Sequence, residues 1–285
     1  MALLLSVLEQ GMIYGILALG VYITYKILDF PDLTVDGSFP FGAAITVRLI
    51  NGFGVPAILT LPIAFLGGAL VGICTGLIHV KCKVRDLLSG IIMMTALWTI
   101  NLRVAGTANV PLFSQKTIFK NDTLDKLLPS GFSAYSTLLI ILIIALIVKI
   151  ILDLYLNTKS GYLLRAVGDN DKLVTAMAKD EGNVKILGLA IANGLCSLAG
   201  CIFCQEERVF EISSGTGAMV IGLASVIIGT SIFKKISFVK TTTAVLIGSI
   251  IYKTCVAIAL KNFEPQDMKR ITAVLFLVIL VLSME

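Results

Sequence analysis

Apolar stretches of about 20 residues follow one another along almost the whole chain, separated by short polar connections. A helix of this length and composition crosses the hydrocarbon core of a bilayer and satisfies its own backbone hydrogen bonds. The pattern therefore predicts an all-α, polytopic transmembrane protein with about nine spans, within a range of eight to ten. The predicted spans are 4–26, 36–52, 56–79, 87–105, 133–155, 184–205, 216–233, 237–259 and 268–283.

The polar connections are too short to hold a separate soluble domain, so residues 1–285 are predicted to form a single transmembrane domain. Two connections are longer than the rest: residues 106–132, which are polar and mixed in charge, and residues 157–182. In the second, apolar residues recur at helical spacing on both sides of a Gly-Asp-Asn break that ends at Asn170. With Asn170 as an N-cap, residues 157–182 predict two short surface helices that lie against a partner or the membrane.

The composition agrees with a bilayer as the solvent. Of the 285 residues, 57% are hydrophobic and only 14% are charged, whereas a soluble domain carries about 25% charged residues. The net charge of +5 does not indicate nucleic-acid binding, because the cations lie in short connections without clustered aromatic residues. Basic connections at 81–85 and 234–240 fall on one side, which the positive-inside rule assigns to the cytoplasm. This predicts an external N-terminus, a cytoplasmic C-terminus and an outer position for residues 106–132.

The cysteines do not point to a metal or redox site. Cys201 and Cys204 form a C-x-x-C pair, but no second pair and no nearby histidine completes a ligand set. His79, the only histidine, follows an apolar segment and is predicted to be a helix-end residue. No metal site and no catalytic residue are therefore predicted.

Two interruptions of the apolar pattern indicate a solute pathway. The run from Asp32 to Gly42 contains Pro40 and two glycines between apolar flanks, and a second glycine-rich run occurs at 214–217. Non-helical backbone at membrane depth is tolerated only where it is buried in protein or lines a wet cavity. We expect a discontinuous helix beside the pathway, since paired interruptions often mark the centre of a transporter. The alternative is an ordinary cytoplasmic turn that starts the second helix.

Other intramembrane positions leave more than one interpretation open. Gly68, Gly72 and Gly76 recur every four residues and predict a face of the third segment against which another helix packs closely. Arg103 either extends to the headgroups or acts at the outer mouth of a pathway, and Lys253 in the eighth segment presents the same two alternatives.

The chain contains no G-x-x-x-x-G-K-[ST] phosphate loop, so it is not predicted to hydrolyse ATP or to be an enzyme. It also lacks the chain of intramembrane carboxylates and histidines that many proton-coupled carriers use. A passive channel, an ion-coupled carrier and a permease driven by a separate ATPase remain. The patterned segment 157–182 favours the last, because a separate motor needs a structured contact.

Several motifs resemble one family of transporters. The runs Gly161-Tyr-Leu-Leu-Arg-Ala-Val-Gly-Asp-Asn170 and Ala190-Ile-Ala-Asn-Gly-Leu-Cys-Ser-Leu-Ala-Gly200 are similar to ABC importer permeases of the branched-chain amino acid and ribose type. Three further runs are similar to the tryptophan/tyrosine-type branch of that family, and the resemblance covers nearly the whole chain. These runs are 32–39, 88–97 followed by 100–112, and 222–229.

The resemblance implies a fold, partners and functional residues. It implies two copies of the permease around one pathway, two cytoplasmic ATPase subunits that use ATP, and an extracytoplasmic solute-binding protein, all at the cell membrane of a prokaryote. The permease itself would hold no cofactor. A coupling helix within the cytoplasmic segment would insert into the ATPase, and its matching residues are Gly161, Leu164, Arg165, Ala166, Gly168, Asp169 and Asn170. The candidate pathway residues are Thr34, Asp36 and Ser38 of the matching turn, with Asn101 and Asn193 on other segments.

The predicted function is an alternating-access importer subunit for an amino-acid-like solute, with aromatic amino acids favoured. The alternatives are an ion-coupled secondary carrier, a membrane scaffold that transports nothing, and an ABC importer of a sugar, nucleoside or vitamin.

Overall fold

The computed structural model describes residues 2–121, 135–169, 181–234, 238–260 and 268–284. Ten α-helices account for most of these residues: α1 (Ala2–Val21), α2 (Val35–Val47), α3 (Thr60–Val80), α4 (Asp86–Ala105), α5 (Ser136–Leu156), α6 (Lys159–Asp169), α7 (Glu181–Glu207), α8 (Ala218–Ile232), α9 (Thr241–Leu260) and α10 (Met268–Met284). Four short helical turns extend or precede them: π-helical Tyr22–Ile27 and Arg48–Gly52, and 3₁₀-helical Ala57–Leu59 and Ile212–Gly215.

The all-α transmembrane fold predicted from the apolar pattern is confirmed. Each of the nine predicted spans coincides with a helix, and seven helices in the described residues are long and apolar enough to cross a membrane. The other two, α2 and α10, have 13 and 17 residues, so nine is an approximate number of spans. The sequence pattern did not predict a two-stranded antiparallel ribbon, in which β1 (Asn109–Pro111) pairs with β2 (Val209–Glu211) and links the ends of α4 and α7.

Helix α7 forms the axis of the bundle. In the most apolar stretch of α7, 78% of the residues are buried, compared with 22% and 28% in the corresponding stretches of α4 and α5. Helices α1, α2 and α3 pack around it, and close approach requires small residues on both sides. A Cβ on Gly42 of α2 would overlap the carbonyl oxygen of Ser197, and one on Gly200 of α7 would overlap that of Phe39.

The predicted glycine face of α3 is confirmed, and its partner is α7. Gly68 approaches Asn193, Gly72 approaches Leu189, and an added Cβ on Gly76 would lie 2.9 Å from the Cα atom of Ile186. As the residue numbers increase along α3, the numbers of the contacted residues on α7 decrease, so the two helices are antiparallel. On the opposite side of α3, Leu66 and Leu70 are exposed, as expected of a surface that faces lipid.

We predicted a discontinuous helix over the run Asp32–Gly42, and this is wrong for the part that contains Pro40, because α2 runs through this residue from Val35 to Val47. A proline ring normally clashes with the carbonyl group four residues earlier and leaves it without a donor. Here the Asp36 carbonyl and the Pro40 ring both lie against Gly215. The absent side chain of Gly215 leaves room for this arrangement. The non-helical backbone lies instead at 28–34, before α2 begins.

Candidate functional site

Three of the predicted pathway residues meet around the non-helical segment 28–34. The Asn193 side-chain amide donates to Asp32 Oδ2 at 2.7 Å, and the Ser38 hydroxyl donates to Asn193 Oδ1 at 2.6 Å. The Thr34 backbone N–H donates to Asp32 Oδ1 at 2.9 Å, and the Thr34 hydroxyl lies 3.1 Å from that of Thr75 on α3. Asp32, which was not among the predicted site residues, is therefore the centre of the cluster.

This buried network, formed by Asp32, Thr34, Ser38, Thr75 and Asn193, is closed to solvent. All five side chains are 0% exposed. A carboxylate inside a membrane protein is stable only when other groups satisfy it, and two donors do so here. In this conformation the network fixes the start of α2 against α3 and α7. Direct contact with a solute would require those helices to separate.

Asp36 links α2 to α8. Its carboxylate is partly exposed and accepts hydrogen bonds from the backbone N–H groups of Gly217 at 3.1 Å and Met219 at 2.8 Å. These donors belong to the first turn of α8, where a negative group satisfies free N–H groups and complements the helix dipole. Gly217 has a φ of +83°, a conformation that favours glycine. The two interruptions found in the sequence are thus in direct contact through Asp36.

Asn101 lies on the other side of α2. Its side chain is 1% exposed and donates to the Gly37 carbonyl oxygen at 3.1 Å, while its own Oδ1 has no partner among the described residues. Arg103, one turn from the end of α4, is exposed. The structure therefore does not bring Asn101 into the buried network, although both adjoin the first turn of α2.

A cavity of about 590 Å³ lies beside the start of α8. We call it the Lys253 cavity, and helices α1, α7, α8, α9 and α10 contribute to its wall. Lys253 is 7% exposed, and its Nζ lies 3.7 Å from the ring centroid of Tyr14. The amine therefore packs against the Tyr14 ring inside the bundle. Sequence reasoning missed Tyr14 and Glu207 in this wall, and the intramembrane cation was the signal that could have led to them.

Helix α6 corresponds to the first predicted surface helix and carries most of the predicted coupling residues. One face, with Gly161, Leu164 and Val167, is buried. Arg165 and Asp169 on the other face are exposed, whereas Ala166 and Gly168 are half-buried. Asn170 and the predicted second helix lie outside the described residues.

Close contacts join α6 to the bundle near the end of α1. Gly168 lies against the carbonyl oxygen of Ile27, and the space of Gly188 on α7 is bounded by the side chains of Leu28 and Leu164. Arg165 lines a small cavity of about 210 Å³ together with Asp153 and Lys240. Asp153 forms salt bridges with Lys149 at 3.1 Å and with Lys240 at 3.3 Å, and so ties α5 to the start of α9.

Comparisons with known proteins agree on the class of transporter. Residues 3–284 match the family described as branched-chain amino acid transport system / permease component. The chain is 42% identical over 279 residues to the tyrosine transport system permease protein of Clostridioides difficile (strain R20291), covering 97% of this chain and 90% of that protein.

Two more distant relatives carry other solutes in their names. The probable branched-chain amino acid transport permease protein LivH of Methanocaldococcus jannaschii is 30% identical over 228 residues, with 75% of this chain and 70% of the relative covered. The ribose import permease protein RbsC of Haemophilus influenzae is 24% identical over 227 residues, with 79% and 68% covered. No solved structure matches the chain. The family match and the membrane-spanning helices together show that this multi-pass membrane protein belongs to the branched-chain amino acid permease family of ABC-type transport systems.

Proposed function

We propose that the chain is the membrane-spanning subunit of an ATP-driven importer for an amino-acid-like solute, with aromatic amino acids favoured. The observation that carries this proposal is the 42% identity, over 97% of the chain, to a permease named for tyrosine transport. Two copies of the chain would enclose the pathway, two cytoplasmic ATPase subunits would supply the energy, and an external binding protein would deliver the solute.

The amphipathic form of α6 supports its role as the coupling helix. Its buried face, with Gly161, Leu164 and Val167, holds it against the bundle, while Arg165 and Asp169 remain exposed for a partner. Exposed charges on a short helix that is firmly packed on one side suit a contact that transmits force.

A continuous series of contacts leads from α6 to the predicted pathway residues. Gly168 of α6 lies against Ile27, which is followed directly by the segment 28–34 that carries Asp32 and Thr34. Asp32 binds Asn193 on α7, and Asp36 in the next turn caps α8. A displacement of α6 by the ATPase would therefore reach the starts of α2 and α8 at once. Alternating access would follow if the two arrangements of these helices opened the pathway to opposite sides.

The test is uptake of radiolabelled L-tyrosine, L-leucine and ribose into liposomes that contain the chain with its ATPase and binding protein. We expect uptake of the amino acids that requires ATP hydrolysis and stops when ATP is replaced by a non-hydrolysable analogue. Full uptake by the chain without any other protein would contradict the proposal. Uptake that a protonophore abolishes and that is indifferent to ATP would support an ion-coupled carrier, and uptake of ribose alone would exclude the amino-acid assignment.

A further inference from the structure

We propose that the Lys253 cavity is an internal binding site on the import route for a zwitterionic amino acid with a large aromatic or apolar side chain. This inference rests on the proposed function and adds to it a place and a recognition chemistry. The cavity is lined by a buried cation, an aromatic wall, two acidic side chains and several hydroxyl groups, and its volume of about 590 Å³ lies in the range of small-molecule sites.

The buried amine of Lys253 points to a ligand carboxylate. It has no salt bridge within 4.0 Å in the part of the chain that the structure describes; its contacts are the Tyr14 ring and Gln10 Oε1, at a long 3.5 Å. Glu206 and Glu207 act on it only at longer range. A cation inside a membrane protein normally pairs with an anion or faces a water-filled cavity. Lys253 lines a cavity and forms no ion pair within the described residues. A carboxylate bound in the cavity would therefore supply a counter-ion for the amine.

The acidic side chains suit the ammonium group of the same ligand. Glu207 and Glu211 line the cavity and are exposed, whereas Lys253 is buried. Gln10 connects the two charges, since its amide nitrogen donates to Glu207 Oε1 at 3.0 Å and its oxygen faces Lys253. A zwitterion could thus place its two charged groups against groups of opposite sign.

Uncharged groups of the wall indicate the rest of the ligand. Tyr14 and Phe203 form an edge-to-face pair with ring centroids 5.9 Å apart, and Phe39 supports both from behind at 5.6 and 5.4 Å. This preformed aromatic surface suits an aromatic or large apolar side chain. The Ser214 hydroxyl is buried without a hydrogen-bond partner among the described residues and is free to bind a ligand oxygen. A sugar would use the hydroxyl but would leave the buried cation without a counter-ion.

The test measures binding of radiolabelled L-tyrosine to the permease assembled with its ATPase subunits in nanodiscs, without the binding protein. Competitors are tyramine, which lacks the carboxylate, 3-(4-hydroxyphenyl)propionate, which lacks the ammonium group, and ribose. We expect K253M to weaken L-tyrosine about 10- to 100-fold with little effect on tyramine, because only the former has a carboxylate. E207Q should weaken L-tyrosine and tyramine and leave the propionate unchanged. K253R should retain binding, and K81M at an exposed lysine should have no effect.

The outcomes separate this inference from the proposed function. Wild-type complex that imports L-tyrosine with ATP but does not bind it in the nanodisc, or whose binding K253M and E207Q leave unchanged, would overturn the site and leave the importer intact. Equal loss of all ligands in both variants would indicate a purely structural role and would also overturn the site. If K253M does not fold, the same competition measurements on K253R and E207Q test the site instead. Wild-type complex that imports no amino acid would overturn both proposals.

Discussion

At the scale of single residues, the buried polar groups of this protein act mainly as connectors between helices. Asn193 satisfies the carboxylate of Asp32 and accepts from Ser38, so a single amide fixes the segment before α2 and the first turn of α2 to α7. The nearby Ser197 hydroxyl, one turn further along α7, only donates to the Ala64 carbonyl oxygen at 2.7 Å. The cost of losing either side chain should therefore differ, because only one of them supports a charge.

Replacing Asn193 with leucine should lower the free energy of unfolding by about 3 kcal/mol, because it leaves a buried carboxylate with fewer donors. Ser197→Ala is the matched control on the same helix and should cost about 1 kcal/mol, the value of a neutral hydrogen bond. Denaturant titration and thermal melting of the purified variants in detergent would measure both. Equal losses would mean that the Asp32–Asn193 bond contributes no more than a neutral one.

At the scale of elements, close packing of α3 on α7 depends on the glycines of α3. Gly72 approaches the Leu189 backbone so closely that an added Cβ would overlap its carbonyl group. Backbone atoms in the centre of a packed helix cannot move aside as a flexible side chain can, so the two helices would have to separate. Since α7 also contacts α1 and α2, the disturbance would reach the buried network.

Gly72→Leu should destabilise the protein by about 3 kcal/mol or more and reduce the yield of monodisperse protein. Cys74→Leu introduces the same side chain on the exposed face of the same helix and should change stability by less than about 0.5 kcal/mol. Melting temperature and size-exclusion chromatography in detergent would report the difference. A well-folded Gly72→Leu variant of normal stability would contradict the packing of α3 on α7 described above.

At the scale of the whole molecule, the proposed transport cycle depends on α6, a short helix that is packed against the bundle on one face and exposed on the other. Helix α6 contacts α5, α7 and the π-helical turn after α1, whereas the side chains of Arg165 and Asp169 form no hydrogen bond or salt bridge within the described residues. Mutations of the exposed residues of this helix should therefore impair coupling without lowering stability. Mutations in the buried network should affect both.

The double variant Arg165→Ala/Asp169→Ala should insert into the membrane and melt like the wild type, because both side chains are exposed. We expect ATP hydrolysis by the partner subunits to continue while ATP-driven uptake falls at least about tenfold, which corresponds to about 1.4 kcal/mol of lost coupling. Lys81→Ala/Lys83→Ala, a pair of exposed charges in another connection, serves as the control and should transport normally. Normal uptake by the Arg165/Asp169 variant would remove the coupling role of α6.

The sequence by itself determined the class of the protein and the positions of its helices. The free energy of transfer into lipid is nearly additive over the residues of a span. Spans of about 20 apolar residues can therefore be recognised from the local sequence alone. The glycine spacing of α3 was readable for the same reason, since a helix brings every fourth residue to one face. The motifs at 161–170 and 190–200 also indicated the permease family before any geometry was known.

Only the tertiary structure decided which groups meet inside the bundle. Asp32 and Asn193 are 161 positions apart, and Gln10 and Lys253 are 243 apart, so no local pattern pairs them. The room for the Pro40 ring in a continuous α2 comes from Gly215, which is separated from α2 in the described chain by the five helices α3 to α7. Hydropathy and periodicity depend on each residue and its near neighbours, whereas hydrogen-bond partners, counter-ions and cavities depend on how distant helices pack.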